Sequence, residues 1–228
     1  MKLNDRVEAT PKGKGTCICC GAEMVAKCGD QKVWHWAHKG RRKCDHWWEN
    51  ETQWHRDWKN KFPEDWQELV HKADNGEKHI ADVKTPDGLV IEFQHSPIAR
   101  PEKNAREAFY KNMLWVVDGM RLSKDYSRFF TLPTLRTLKY PNLLSEFLPL
   151  NIFPSFGKWC GRKAPVFFCW ENSLFCKLPY LEKGTGNSLV FHIDKKTFLE
   201  IIFNSSAAEL DFEKILRSDP DFKFRRTQ

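Results

Sequence analysis

No stretch of this chain stays apolar for long enough to cross a bilayer, and the N-terminus carries no secretory signal. These absences make a soluble, cytoplasmic protein with no membrane partner the expectation. No internal repeat is present, which argues against a solenoid or propeller. The first 45 residues are poor in aliphatic side chains and cannot build a core of their own. A segment of that kind needs a staple.

What the chain does have is cysteine, tryptophan and positive charge. Its 228 residues, 41% hydrophobic and 29% charged, fit an ordered globular protein of one large or a few small domains. The net charge of +7 favours a polyanionic partner. Six of the ten tryptophans fall between Trp34 and Trp58, which predicts a dense aromatic cluster. In a cytoplasmic chain, eight cysteines argue for metal ligands or buried thiols over disulfides. Cys17, Cys19, Cys20, Cys28 and Cys44 crowd the first fifth, whereas Cys160, Cys169 and Cys176 sit among apolar neighbours and are expected in the core.

Cys17-x2-Cys20 is a frequent knuckle for tetrahedral zinc. His35-x2-His38, or His38 with Cys44, would supply the second pair. Strict alternation along a strand points His35 and His38 to opposite faces, which favours Cys17, Cys20, His38 and Cys44, with His35 as the alternate. Four protein ligands close the shell, so this zinc would be structural. AEMVAK and QKVWHWAH are expected to form two short strands around a Cys28-Gly29-Asp30 turn.

A tight hairpin is expected from His79 to Gln94. Pro86 pre-sets φ at the first turn position, and Gly88 takes the positive φ of the bulge that follows. The loop Pro86–Gly88 then pairs Thr85 with Leu89, Lys84 with Val90, Val83 with Ile91 and Asp82 with Glu92. Alternation puts Ala81, Val83, Leu89, Ile91 and Phe93 on one face, and Asp82, Lys84, Glu92 and Gln94 on the other. Two facing carboxylates repel one another unless a cation joins them, so a magnesium site is the sharper reading. Gln94 would orient the attacking water. The plain alternative is an exposed face on which Lys84 pairs the acids.

Around the hairpin, residues 47–61 are expected to form a helix that stops before Pro63, with Trp47, Glu51, Trp54, His55 and Trp58 on one broad face. Glu51, His55 and Lys59 recur every four residues; such a stripe would reach the metal, a phosphate and the DNA backbone in turn, or be a solvated face. A short strand is expected at 70–72, a helix from Pro101 to about Asn112, and a buried strand over 113–119. Arg106 and Tyr110 on that helix would contact phosphate and base or sugar, or belong to an ordinary amphipathic face. Beyond Arg121, residues 132–154 with their four prolines suggest a linker or capping arm. Strands follow at 166–178 and 188–193, then a helix capped by Asp194 and running to Phe203, and a mobile basic tail at 222–228.

Taken together, CICC at Cys17–Cys20, HWAH at His35–His38, E-x3-H-x3-K at Glu51–Lys59, IAD at Ile80–Asp82 and EFQ at Glu92–Gln94 resemble the competence protein CoiA-like family, a branch of the PD-(D/E)XK nuclease superfamily. Ser96–Ile98, the helix ending in Tyr110, and LWVVDG add to the likeness, which spans roughly residues 15–120. It implies an α/β fold: a restriction-endonuclease-like mixed sheet flanked by helices, with an N-terminal zinc-ribbon-like module at 1–46, a nuclease core at 47–120 and an unassigned α+β region at 121–228. It also implies a magnesium- or manganese-dependent deoxyribonuclease with DNA as partner, in which Asp82 and Glu92 bind the metal and Glu51 matches an acid of the first core helix. Ala81 stands where the superfamily name has proline, and Gln94 stands where it has lysine. Lys84 is the candidate to replace that positive charge. The rival readings are a non-cleaving DNA-binding protein on a nuclease scaffold, and a zinc-stapled interaction module with a protein partner or a second copy of itself.

Overall fold

The computed structural model describes residues 7–40, 47, 51–121, 125, 136–137, 144–149, 154–159, 161–181 and 187–204. Cys44, Cys160 and the basic tail at 222–228 lie outside the described residues. No helix among those described is long and apolar enough to cross a membrane.

A small antiparallel sheet comes first, in the order β1 (Lys14–Thr16), β2 (Glu23–Lys27), β3 (His35–His38). The two expected strands are β2 and β3, paired from Met24↔His38 to Lys27↔His35. Trp36 is its main apolar body: its ring lies over Gly13 and Gly15, and its indole N–H donates to Val7 O at 2.7 Å.

A mixed sheet of nine strands follows. It contains β4 (Gln67–Lys72), β5 (Lys78–Lys84), β6 (Val90–Gln94), β7 (Met113–Asp118), β8 (Arg136–Thr137), β9 (Leu144–Pro149), β10 (Val166–Trp170), β11 (Ser173–Leu181) and β12 (Asn187–Asp194). Their spatial order is β4-β5-β6-β7-β10-β11-β12-β9-β8. Helices α1 (Gln53–Lys59), α2 (Arg100–Tyr110), α3 (Pro154–Lys158) and α4 (Lys195–Asn204) complete the set. Strand β6 runs parallel to β7, and β7 runs parallel to β10. The chain therefore crosses from β6 to β7 through α2, as a parallel pair requires.

The three central strands VIEFQ, MLWVVD and VFFCW are buried along their whole length. Parallel strands covered on both faces have this character. On one face Ile91, Phe93, Leu114, Val116, Phe167 and Cys169 meet Trp58 of α1 and Phe198 and Ile202 of α4. On the other, Val90, Met113, Trp115, Val117, Phe168 and Trp170 meet Tyr110 of α2 and Phe156 of α3. Cys169 and Cys176 are core thiols, as expected; burial pushes Cys169 up to about 12.

Four expectations need correction. The first helix begins at Gln53, not Trp47, because Thr52 caps it: the His55 amide donates to Thr52 Oγ1 at 3.4 Å and the His55 ring reaches back to the Thr52 amide. Glu51 and Trp47 therefore precede the helix. Residues 132–154 are no plain linker, since they contribute β8 and β9 to the sheet. The stretch 166–178 is two strands turned at Glu171 and Asn172, with Glu171 at φ 52°. Asp194 does cap its helix, accepting from the Thr197 amide at 2.9 Å. Finally, Ala81 packs with Trp47 and Val90 rather than with Val83.

Candidate functional site

In the small sheet, Cys17, Cys20 and His38 offer ligand atoms that all lie within 4.8 Å of one another. The knuckle is built by the backbone. Cys17 N donates to Ala22 O at 2.9 Å and Gly21 N to Cys17 O at 2.8 Å, with Gly21 in the left-handed region at φ 72°. Strand β3 then brings His38 Nε2 to 3.4 Å from Cys20 Sγ. Two thiolates and an imidazole suit a metal such as zinc. His35 stays outside this group, with its Nδ1 donating to Val33 O at 2.8 Å.

The hairpin forms with the expected turn and register. Thr85 N donates to Leu89 O at 2.9 Å, Gly88 has φ 93°, and Val83 and Lys84 pair with Ile91 and Val90. Beyond Val83 side chains join the ladder. Asp82 Oδ2 accepts from Phe93 N at 2.9 Å, while Asp82 N donates to Glu92 Oε1 at 3.4 Å. On the neighbouring strand Glu68, opposite Asp82, lies in the left-handed region at φ 52°. The change in facing between Val83 and Ala81 falls at this irregularity.

Burial raises the Asp82 carboxyl above its ordinary range, against the pull of His55, Lys59 and Arg106. Burial and the neighbouring Asp82 push Glu92 up to about 8, and Arg106 opposes the rise. Close carboxylates withdrawn from water share a proton or take up a cation. They form a pair, not a triad: among the described residues the group of three metal-capable ligands is the Cys/His one.

Basic side chains flank the pair on both sides of the sheet. Arg106 Nη1 donates to Glu92 Oε2 at 2.8 Å, and its Nη2 donates to Glu102 Oε1 at 2.5 Å and to Trp47 O at 2.6 Å. Lys59, almost fully buried, binds Glu51 Oε1 and lies 2.5 Å from Glu68 Oε1. Burial alone would lower Lys59; Glu68, Asp82 and Glu51 together hold it above its usual value. Burial likewise raises Glu51, and Lys59 and Arg56 outweigh it and bring Glu51 below the usual range.

The remaining candidates are placed differently. His55 uses both ring nitrogens inside the protein, donating from Nε2 to Phe93 O at 2.8 Å and meeting Thr52 Oγ1 at 2.9 Å through Nδ1. Lys84 lies against His71 Nδ1 at 3.1 Å. Gln94 is buried and donates its amide to Ser96 O at 2.8 Å. Tyr110 is a core residue against Trp47, His71 and Phe109.

Two features escaped sequence reasoning. Glu68 gave no signal, because its part in the site depends on an unusual backbone angle. His95 stands just past EFQ and the end of β6, and Asp118, inside LWVVDG, is the last residue of β7; their Nδ1 and Oδ2 lie 2.7 Å apart, a pairing that neither motif announces.

The metal-capable module is also where a family model matches. No match is found among curated proteins, nor among solved structures. Residues 4–46, which hold Cys17, Cys20 and His38, match the family model described as Competence protein CoiA, N-terminal domain.

Proposed function

We propose that this protein is a metal-dependent nuclease that hydrolyses DNA phosphodiester bonds at Asp82 and Glu92, on a restriction-endonuclease-like core stapled by zinc at Cys17, Cys20 and His38. The observation that carries the reading is the buried carboxylate pair. Both acids sit above their ordinary range, and a divalent cation is the partner that relieves desolvation and repulsion together. The donor set fits: two hard oxygen ligands on neighbouring strands leave room for water and phosphate around magnesium or manganese. When bound, such an ion lowers the pKa of a water and neutralises charge on the phosphate.

The protein's own groups do the positioning. The Phe93 amide holds Asp82, and Arg106 holds one oxygen of Glu92. Lys59 gathers Glu51 and Glu68 beside Asp82. The family match over residues 4–46 supports a CoiA-like protein, the mixed sheet with α1 and α2 beside the hairpin supports the PD-(D/E)XK assignment, and the net charge of +7 supports DNA as partner.

The test is cleavage of single-stranded, duplex and branched DNA with magnesium, manganese or chelator, beside Asp82→Ala. Cleavage lost with chelator and in the variant supports the reading; cleavage unchanged in Asp82→Ala sinks it. A second reading, a scaffold that binds DNA without cutting, is favoured by the Arg106–Glu92 ion pair, which occupies a metal-facing acid, and by Gln94 in place of a cation. Salt-sensitive binding without cleavage would select it.

A further inference from the structure

We propose that His95, held by Asp118, takes the proton from the water that attacks the phosphodiester; this rests on the nuclease reading. His95 Nδ1 lies 2.7 Å from Asp118 Oδ2. Asp118 is buried, and its other oxygen accepts from Met120 N at 3.0 Å, so the carboxylate is fixed in the fold. Arg121 donates to His95 O and fixes the backbone on the other side. With Nδ1–H directed at Asp118, the neutral ring presents Nε2 as a bare acceptor. The His95 side chain is 32% exposed, so the ring is partly in contact with solvent.

Its place in the fold connects it to the acids. Phe93 N binds Asp82, Phe93 O binds His55 Nε2, and the His55 ring lies 6.1 Å from the His95 ring. Trp54 flanks His95 at the same distance. Both members of the pair stand at the carboxyl ends of parallel strands β6 and β7, where open α/β sheets bind ligands. A purely structural clip is redundant there, because the ladder already reaches Gln94↔Val117.

In the step, a P–O bond forms from water, the P–O bond to the leaving sugar oxygen breaks, and the water proton passes to His95 Nε2. A solvent water protonates the leaving oxygen. Asp118 acts through His95 as a positioning residue.

The experiment uses the full chain and a fluorescent oligonucleotide under single-turnover conditions. His95→Ala is expected to slow cleavage on the order of 100-fold or more, with DNA binding unchanged. Added imidazole is expected to restore the rate. A separate readout needs no cleavage: nitrogen-15 shifts of the neutral His95 ring in the metal-free protein should report Nδ1–H, and Asp118→Asn should lose that signature. His95→Ala at the wild-type rate, loss without imidazole rescue, or an Nε2–H ring overturns the inference while cleavage abolished by Asp82→Ala leaves the nuclease reading standing. A wild-type protein that cleaves nothing overturns both.

Discussion

Lys59 Nζ and Glu68 Oε1 lie 2.5 Å apart, and the two residues reach each other from a helix and from a strand whose backbone is in the left-handed region at Glu68. A β-strand glutamate at φ 52° is costly, on the order of 1–3 kcal/mol, and persists where its surroundings hold it. Here the holding group is a buried ammonium. Lys59→Met would leave Glu51, Glu68 and Asp82 without it. The expected loss, read from urea melts, is about 3–5 kcal/mol, the range for removing one partner of a buried ion pair.

The same geometry separates two lysines. Lys84 faces His71, whereas Lys59 stands beside Asp82. In cleavage assays Lys84→Ala should keep a rate near wild type, and Lys59→Ala should lose on the order of 100-fold. The opposite result would return the positive charge of the site to the hairpin.

Glu92 makes the metal-free protein sensitive to alkali. Its ordinary value is 4.5, and in the fold it is pushed up to about 8. Between those values the folded state holds a proton that the unfolded chain releases, so stability falls as pH rises through that window. Melting temperature should decline from about pH 5 to about pH 8 and the slope should flatten in Glu92→Gln. Added magnesium should raise the melting temperature more at the alkaline end.

Zinc content gives an independent check on the N-terminal module. Purified protein should carry ~1 zinc per chain, and Cys20→Ala should lose it. Removal of the metal should speed amide exchange in β1, β2 and β3 while β6 and β7 keep their protection. Retained metal in Cys20→Ala would contradict the ligand set.

The hairpin turn and its register as far as Val83↔Ile91 were legible because their chemistry is local to Pro86 and Gly88, whereas simple alternation misplaces Ala81. The Cys/His knuckle was legible for the same reason: alternation already favours His38 beside Cys17 and Cys20, and the structure leaves the alternate, His35, outside the group. The start of α1 was misread because Trp47 and Glu51 continue a helical spacing that Thr52 interrupts. Glu68 and the pairing of His95 with Asp118 depend on contacts between distant segments, as does the joining of β7 to β10, and no local pattern announces those. Residues 132–154 looked like a linker because prolines are costly inside strands; in the structure Pro149 stands at the end of β9, where that cost is small.

The parallel pairing of β7 with β10 also bears on how the protein can be divided. A fragment ending near Gly119 would leave the backbone edge of MLWVVD bare, beside side chains that β10, α3 and α4 normally cover. An unprotected apolar edge of that kind recruits other chains. Residues 47–120 are therefore not a portable cassette: expressed alone they should aggregate, and recovery of the folded sheet requires the later strands to be present in the same molecule.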